Sequence, residues 1–218
     1  MKKIICLILA LACSFALFSC GDEEGPAPED KLIEIAGSSE PTQIITRTYY
    51  TEKSTSILYE GVYTTVFTDG GFTLEYSYQE KAPISLDSDA GAGSVATKTG
   101  KVEYKDGKYS TDGGETWVSE APDTVTLGVV FNVTKANLGT YTVSDDGKTL
   151  EAVLTAENVA NLLGITIPAE TADAVITTNG TYLTGMTIEY SSEQADVVIA
   201  TSYSYIGTGA PAEEAPAE

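Results

Sequence analysis

The chain has 218 residues, of which 32 are acidic, 12 are basic and none is histidine, so its formal net charge at pH 7 is −20. A body this acidic repels nucleic acids and anionic membrane surfaces, and we expect no nucleic-acid partner. The absence of histidine removes the commonest general base and histidine-based zinc sites, and the single arginine, Arg47, leaves no paired-arginine clamp for anions.

Residues 1–19 have the parts of a secretory signal peptide. Lys2 and Lys3 provide the positive start, and the apolar run Ile4–Phe18 is too short to span a membrane comfortably. We therefore expect residues 1–19 to be removed on export, which would leave the rest of the chain more acidic still.

Residues 17–20, Leu-Phe-Ser-Cys, resemble the bacterial lipobox, in which the cysteine receives diacylglycerol and becomes the first mature residue. Cys6 and Cys13 lie within the signal peptide, so Cys20 would be the only remaining thiol and no disulfide could form. The resemblance implies a lipoprotein with its lipid on Cys20. It would sit on the outer face of the cell membrane, or at the outer membrane where the host has two. The alternative is an ordinary signal peptide that happens to contain a cysteine.

The rest of the chain is predicted to form a single folded domain between two flexible ends. Residues 20–30 and 208–218 contain no large apolar side chain, so we expect a disordered acidic tether and a disordered Pro/Ala/Glu tail. Residues 31–207 contain no long linker and form one β-rich domain, which we expect to be a monomer.

The first element of this domain is predicted to be a helix over Glu29–Ala36, with a strand as the alternative. Alternating apolar and polar residues then predict strands along most of the chain. The clearest cases are Phe72–Tyr78, the set Leu127, Val129, Phe131 and Val133, and the set Tyr182, Met186, Ile188 and Tyr190. Tight hairpin turns are predicted at Asp69-Gly70-Gly71, Asp106-Gly107, Asp145-Asp146-Gly147 and Asn179-Gly180.

Asp87-Ser88-Asp89 opens a Gly/Ala-rich loop with closely spaced carboxylates, which is a weak hint of a calcium site. An EF-hand loop needs a bidentate acid at its twelfth position, and that position is Lys98. We therefore predict a flexible acidic loop and no metal site.

Residues 110–117, Ser-Thr-Asp-Gly-Gly-Glu-Thr-Trp, resemble the Asp-box of sialidases and other β-propellers. In that motif the Ser and Asp side chains tie a hairpin turn and the Trp is buried. One copy, without an arginine triad, implies a structural hairpin lock and no sialidase site.

A second helix is predicted from Thr155 to Leu163, with Thr155 as its N-cap and Gly164 as its C-terminal stop. Val159, Leu162 and Leu163 would form its buried face. Together these patterns predict a mainly β fold. Its antiparallel meander would form a curved sheet or incomplete barrel with one or two short helices.

A leading helix, a long meander, a late short helix and a lipidated start resemble the LolA-like superfamily of lipoprotein carriers and lipid-binding lipoproteins. The stretch Thr149–Gly164, the hairpin Ala174–Tyr190 and the strand Val197–Tyr205 carry the resemblance. It implies a half-barrel whose concave face holds acyl chains beneath helices, without catalytic residues or cofactors. We expect no enzyme activity, and the side chains expected to line a hydrophobic-ligand face are Phe72, Leu74, Tyr76, Tyr78, Leu127, Val129, Phe131, Met186 and Ile188.

Two alternatives stay open at this point. The same apolar faces could pack against each other as a dry core, because periodicity does not distinguish a filled core from a cavity. In that case the domain would be a cell-surface interaction module that binds glycan or protein through an exposed face.

Overall fold

The computed structural model describes residues 27–81, 95–122, 125 and 133–205. Within these ranges it contains ten strands and three helices. In chain order they are α1 (Pro28–Ser38), β1 (Gln43–Glu52), β2 (Leu58–Thr68), β3 (Gly71–Lys81), β4 (Val95–Lys105), β5 (Lys108–Ser110), α2 (Lys135–Leu138), β6 (Thr140–Val143), β7 (Thr149–Thr155), α3 (Ala156–Leu163), β8 (Thr171–Thr178), β9 (Leu183–Ser191) and β10 (Ala195–Ser204). Among the described residues, no helix has the length and apolar character needed to cross a membrane.

All ten strands belong to one antiparallel sheet in the order β5-β4-β3-β2-β1-β10-β9-β8-β7-β6. Strands β1–β5 form one meander and β6–β10 form another, and the two meanders meet where β1 pairs with β10. The sheet does not close into a barrel, and β5 and β6 are its edges. The predicted mainly β, antiparallel fold with an open sheet is confirmed.

The hairpin turns fall where the sequence predicts them. Asp106 and Gly107 are the two residues between β4 and β5, and their φ angles of 49° and 79° are the positive values that a tight hairpin turn requires. Between β8 and β9, the Asn179 Oδ1 atom accepts hydrogen bonds from the backbone N–H groups of Thr181 (2.9 Å) and Tyr182 (2.8 Å). These bonds fix the turn through residues within the turn itself, without a distant strand.

Helix α3 begins and ends as predicted. The Thr155 hydroxyl accepts a hydrogen bond from the Asn158 N–H (3.2 Å), and the Asn158 side chain accepts one from the Thr155 N–H (3.0 Å). At the other end, Gly164 has a φ of 71° and donates its N–H to the Ala160 carbonyl at 2.8 Å. The helix buries Val159, Leu162 and Leu163, as the apolar spacing predicts.

Helix α1 confirms the helical alternative for the first element. It begins at Pro28, a residue without an N–H and therefore suited to a helix start, and it buries Leu32 and Ala36. Residues 28–30 are thus helical, and the prediction that the disordered tether extends to residue 30 is wrong by these three residues.

The pairing register divides the strand side chains between two faces, since directly opposed residues in an antiparallel pair point the same way. We call the face that carries most of the buried strand side chains the inner face. The main contacts of the three helices with the sheet are with β6, β7 and β8. The described helices make no contact of that size with β1–β5, β9 or β10, although buried residues of β9 and β10 share one core cluster with α1 and α3.

Candidate functional site

The two halves of the inner face differ in their side chains. We call the aliphatic residues on the inner face of β7–β10 the aliphatic half: Leu150, Ala152, Leu154, Ala172, Ala174, Ile176, Met186, Ile188, Val197 and Ile199. Tyr190, Thr201 and Tyr203 lie on the same face of β9 and β10. We call those of β2–β5 the aromatic half: Tyr59, Tyr63, Phe67, Phe72, Leu74, Tyr76, Tyr78, Val102, Tyr104 and Tyr109. The candidate site lies on the aromatic half.

The lower part of the aromatic half is a continuous ladder of rings across four strands. Phe67, Phe72, Tyr104 and Tyr109 are successive cross-strand partners, with ring centroids 6.2, 5.0 and 4.9 Å apart. The next row contains Leu74 and Val102, both fully buried. Rings at these separations attract one another beyond their area burial, so this ladder holds the β2–β5 half together.

Three tyrosines form the upper part of the aromatic half. The rings of Tyr63, Tyr76 and Tyr78 are within 27° of parallel, and their three centroid distances are 6.0, 6.4 and 6.4 Å. Three centroids at nearly equal separations cannot belong to a single stack, in which the outer pair would be twice as far apart. Tyr63 is buried, whereas Tyr76 and Tyr78 are partly exposed. The rings therefore form a small aromatic surface.

Two glycines make room for these rings. A Cβ atom on Gly100 would collide with the hydroxyl and ring carbons of Tyr76, so the Tyr76 ring lies directly over that residue. A Cβ atom on Gly61 would be 3.1 Å from Cε2 of Tyr63 and 3.2 Å from Cβ of Tyr78, and it would collide with the Thr48 hydroxyl. A glycine at each of these positions leaves the space that the neighbouring tyrosine occupies.

The charged and titratable groups considered at this surface are a buried phenol and two lysine–carboxylate pairs. Burial, and then the neighbouring Tyr78 and Tyr76 phenols, raises the pKa of Tyr63 above its ordinary value of 10, so its hydroxyl stays protonated at neutral pH. Two lysines flank the upper end, and both are paired with carboxylates. Lys98 lies 3.5 Å from Glu80, and Lys81 lies 3.7 Å from Glu52.

Four of the predicted ligand-face residues come together on the aromatic half. Phe72 and Leu74 are buried in a cluster with Val102 and Val125, so they support the surface from within. Tyr76 and Tyr78 keep part of their surface accessible. Of the predicted set, these two are therefore the residues placed to touch a ligand.

Met186 and Ile188 do not belong to this surface. They lie on β9 with 3% and 0% of their surface exposed, in the same core cluster as Leu32 of α1 and Leu162 of α3. Their prediction as ligand-face residues is wrong, because the same strand alternation there serves a filled core.

The remaining predicted residues fall in the parts of the chain that the structure does not describe. Cys20, Leu127, Val129, Phe131 and the Asp87–Gly93 loop lie outside the described residues. Val125 and Val133 are described, and both are buried, the first in the cluster with Phe72 and the second in the cluster with Leu32.

Sequence reasoning missed Tyr59 and Tyr63, the contribution of β2 to the site. The sequence contains a strand-like alternation along β2 that could have identified them, and its inner-face residues are Tyr59, Gly61, Tyr63, Thr65 and Phe67. Gly61 interrupts the apolar pattern, and Val62 and Val66 on the opposite face blur it further.

The segment 110–117 forms the hairpin lock that its residues predict. The Ser110 hydroxyl donates to Asp112 Oδ1 (2.7 Å) and accepts from the Gly114 N–H (2.9 Å), while Asp112 Oδ1 also accepts from the Thr116 N–H (2.9 Å). Hydrogen bonds from the Thr116 side chain, then from the Thr116 N–H and the Ser110 hydroxyl, lower the pKa of Asp112 to about 2. Beyond the turn, Tyr109 and Val118 pair as an isolated bridge.

Trp117 departs from the Asp-box pattern. The resemblance implies a buried ring, yet 36% of the Trp117 surface is exposed, so this expectation is wrong. Its Nε1–H donates to the Gly114 carbonyl at 3.0 Å, which fixes the ring on the outside of the hairpin.

One shallow depression lies elsewhere, at the β6–β7 hairpin. Its volume is about 150 Å³, and it is lined by Thr142, Val143, Ser144, Thr149 and Glu151. None of these residues is part of the aromatic half, and an opening this small does not accommodate an acyl chain. In the described parts of the chain, no group of three acidic or cysteine side chains is placed to hold a metal ion.

Compared with known proteins, the chain matches no family model and no curated protein.

Proposed function

We propose that this protein is an extracytoplasmic lipoprotein that binds a lipid or another hydrophobic small molecule on the aromatic half of its inner face. Its anchor would be diacylglycerol on Cys20. We propose no enzymatic role and no cofactor for the domain. The membrane would be the cell membrane, or the outer membrane in a host that has two.

One observation supports the binding proposal above the others. Tyr76 and Tyr78 of the aromatic half are partly exposed, and the described helices make their main sheet contacts elsewhere, with β6–β8. Ligand sites for apolar molecules are lined mainly by aromatic and aliphatic side chains with few polar groups. An open antiparallel sheet with helices on one face also agrees with the layout that the LolA-like resemblance implies.

The binding proposal is tested by what the protein carries when purified. The chain from Gly21 to Glu218, isolated without detergent and examined by native mass spectrometry, is expected to retain a hydrophobic molecule that solvent extraction releases. Replacing two stacking rings, in the double variant Tyr76→Ala/Tyr78→Ala, should lower the affinity about fivefold or more, since each ring contributes about 0.5–1.5 kcal/mol.

Tyr49 provides the matched control. It lies on β1, opposite Glu60 and Val198, and therefore on the outer face of the sheet. The variant Tyr49→Ala should keep the occupancy of the unaltered protein. A chain that carries nothing and binds no added hydrophobic molecule would disprove the proposal.

The anchor is tested separately in growing cells. With labelled palmitate in the medium, the unaltered protein should take up label and the Cys20→Ala variant should not. Equal labelling of the two proteins would overturn the lipid attachment.

A cell-surface interaction module is the second candidate function, and exposed Trp117 favours it. An indole ring held outside a hairpin by its own N–H bond is a preorganised contact for a glycan ring or a protein surface. This candidate predicts that Trp117→Ala abolishes adhesion of the protein to its target cells or glycans, while Tyr76→Ala/Tyr78→Ala leaves adhesion unchanged.

A further inference from the structure

The aromatic half contains a buried hydroxyl that the fold itself does not use. Tyr59 lies on β2 with 8% of its surface exposed, and its hydroxyl oxygen is buried with no hydrogen-bond partner among the described residues. Buried polar atoms without a partner are rare in native structures, because such a group has given up its hydrogen bonds to water. In a binding protein, a hydroxyl of this kind is well suited to bond a polar atom of the ligand.

The surroundings of Tyr59 are those of the candidate site. Tyr59 is the direct cross-strand partner of Tyr50, and the two rings meet edge to face with centroids 5.8 Å apart. On the same face of β2, the next two inner positions are Gly61, which pairs with Tyr78, and Tyr63, which pairs with Tyr76. Tyr59 therefore lies one row beyond the three tyrosines.

The charges at this end limit what the hydroxyl can bind. An anionic head group needs a cation to offset its loss of water, and Lys81 and Lys98 are already paired with Glu52 and Glu80. The net charge of the chain adds a repulsive field. A bare hydrocarbon would leave the Tyr59 hydroxyl without a partner. An uncharged molecule with an oxygen atom avoids both costs.

We infer that the ligand of the aromatic half is an uncharged ring-containing amphiphile, whose hydroxyl or carbonyl oxygen accepts a hydrogen bond from the Tyr59 hydroxyl while its ring packs against Tyr76 and Tyr78. This inference rests on the proposed hydrophobic binding function. It narrows the ligand class, because flat rings stack in an offset manner on parallel tyrosines and acyl chains do not.

Three matched probes test this ligand class on the chain from Gly21 to Glu218: 2-naphthol, naphthalene and 2-naphthoate. They share one ring system and differ in having a neutral oxygen, no oxygen or a negative charge. Equilibrium dialysis should give the order 2-naphthol, naphthalene, 2-naphthoate from tightest to weakest. One net hydrogen bond corresponds to about a three- to tenfold preference for 2-naphthol over naphthalene.

The variant Tyr59→Phe removes only the hydroxyl oxygen. It should bind naphthalene as the unaltered protein does and should lose the preference for 2-naphthol. Tyr49→Phe, an identical change on the outer face, should alter neither affinity. Because the hydroxyl has no partner among the described residues, the urea midpoint of Tyr59→Phe should be unchanged or higher.

The outcomes separate this inference from the proposed function. Equal binding of naphthalene and 2-naphthol, tightest binding of 2-naphthoate, or a lowered urea midpoint for Tyr59→Phe would overturn the inference while hydrophobic binding stands. If none of the three probes binds and no hydrophobic molecule co-purifies, both the inference and the proposed function fail.

Discussion

The aliphatic and aromatic halves lie on the same face of one sheet but differ in how far their side chains are exposed to solvent. On the aliphatic half, Leu, Ile and Met side chains lie under α1 and α3 and are excluded from solvent. On the aromatic half, Tyr76 and Tyr78 remain partly exposed beside the buried ring of Tyr63. An aliphatic side chain gains free energy from burial among apolar groups. A tyrosine also suits the boundary between protein and solvent, because its ring is apolar and its hydroxyl forms hydrogen bonds. The contrast agrees with a core role for the aliphatic half and with the binding role proposed for the aromatic half.

The largest effect that would sharpen this contrast is on stability. Leu162→Ala removes a fully buried side chain of α3 and should lower the free energy of unfolding by about 2–5 kcal/mol. The control Asn161→Ala changes the adjacent, exposed residue of the same helix and should shift the free energy by less than about 0.5 kcal/mol. Urea unfolding measures both. A loss below about 1 kcal/mol for Leu162→Ala would show that the helix is not part of the core.

The second-largest expected effect is a change at Gly100 that alters both stability and ligand binding on the aromatic half. Gly100→Ala forces the Tyr76 ring away from β4, so it should cost about 1–3 kcal/mol of stability and weaken binding of naphthalene about tenfold. In a Tyr76→Ala background the added methyl group has no ring to displace, and its stability cost should largely vanish. A double-mutant cycle measures this coupling, and additive costs would show that the ring does not lie over Gly100.

A smaller effect is expected at the end of α3. Gly164 has a φ of 71°, which an alanine adopts with strain, so Gly164→Ala should cost about 1 kcal/mol. Asn tolerates this conformation better, and Gly164→Asn should cost less. Both variants should leave naphthalene binding unchanged in equilibrium dialysis. Altered binding would show that the two halves are not separable.

The smallest effect concerns the hairpin at the edge of the aromatic half. The pKa of Asp112 is lowered to about 2 in the folded chain, so the carboxylate stabilises the hairpin fully above about pH 4. This contribution is lost as the pH falls from about 4 through 2. The amide resonances of Gly114 and Thr116 should shift in that window, and Asp112→Asn should abolish the transition. A midpoint near the ordinary value of 3.8 in the unaltered chain would contradict the bonding pattern.

Local features of the fold are readable in the sequence because their causes are local. The turn at Asp106-Gly107 follows from residues that tolerate positive φ angles, and α3 follows from Thr155, Asn158 and Gly164 within one short stretch. The pairing of β1 with β10 has no such signal. Across that pair, the hydroxyl oxygens of Thr46 and Thr201 lie 3.2 Å apart, although the two residues are 155 positions apart in the sequence. Alternation predicts which side chains of a strand share a face, but it does not predict which strand pairs with it.

The candidate site is predictable only in part for a related reason. Tyr76 on β3 and Ile188 on β9 belong to the same kind of alternating strand, so the alternation predicts both on one ligand face. What separates them is where the helices pack, and α1 and α3 lie over the β6–β8 side. Periodicity predicts that a side chain is covered, but it does not predict whether a helix of the same chain or a ligand covers it.

The pairing of β1 with β10 also sets the order in which the fold can be completed. As the chain is synthesised, β1 appears early, and one of its two partners is β10, the last described strand in the sequence. Until β10 arrives, β1 presents an open row of backbone hydrogen-bonding groups, which is a hazard for aggregation. Closing a loop this long is slow compared with forming a hairpin. A chaperone that shields a single strand edge until β10 is available would therefore act at β1.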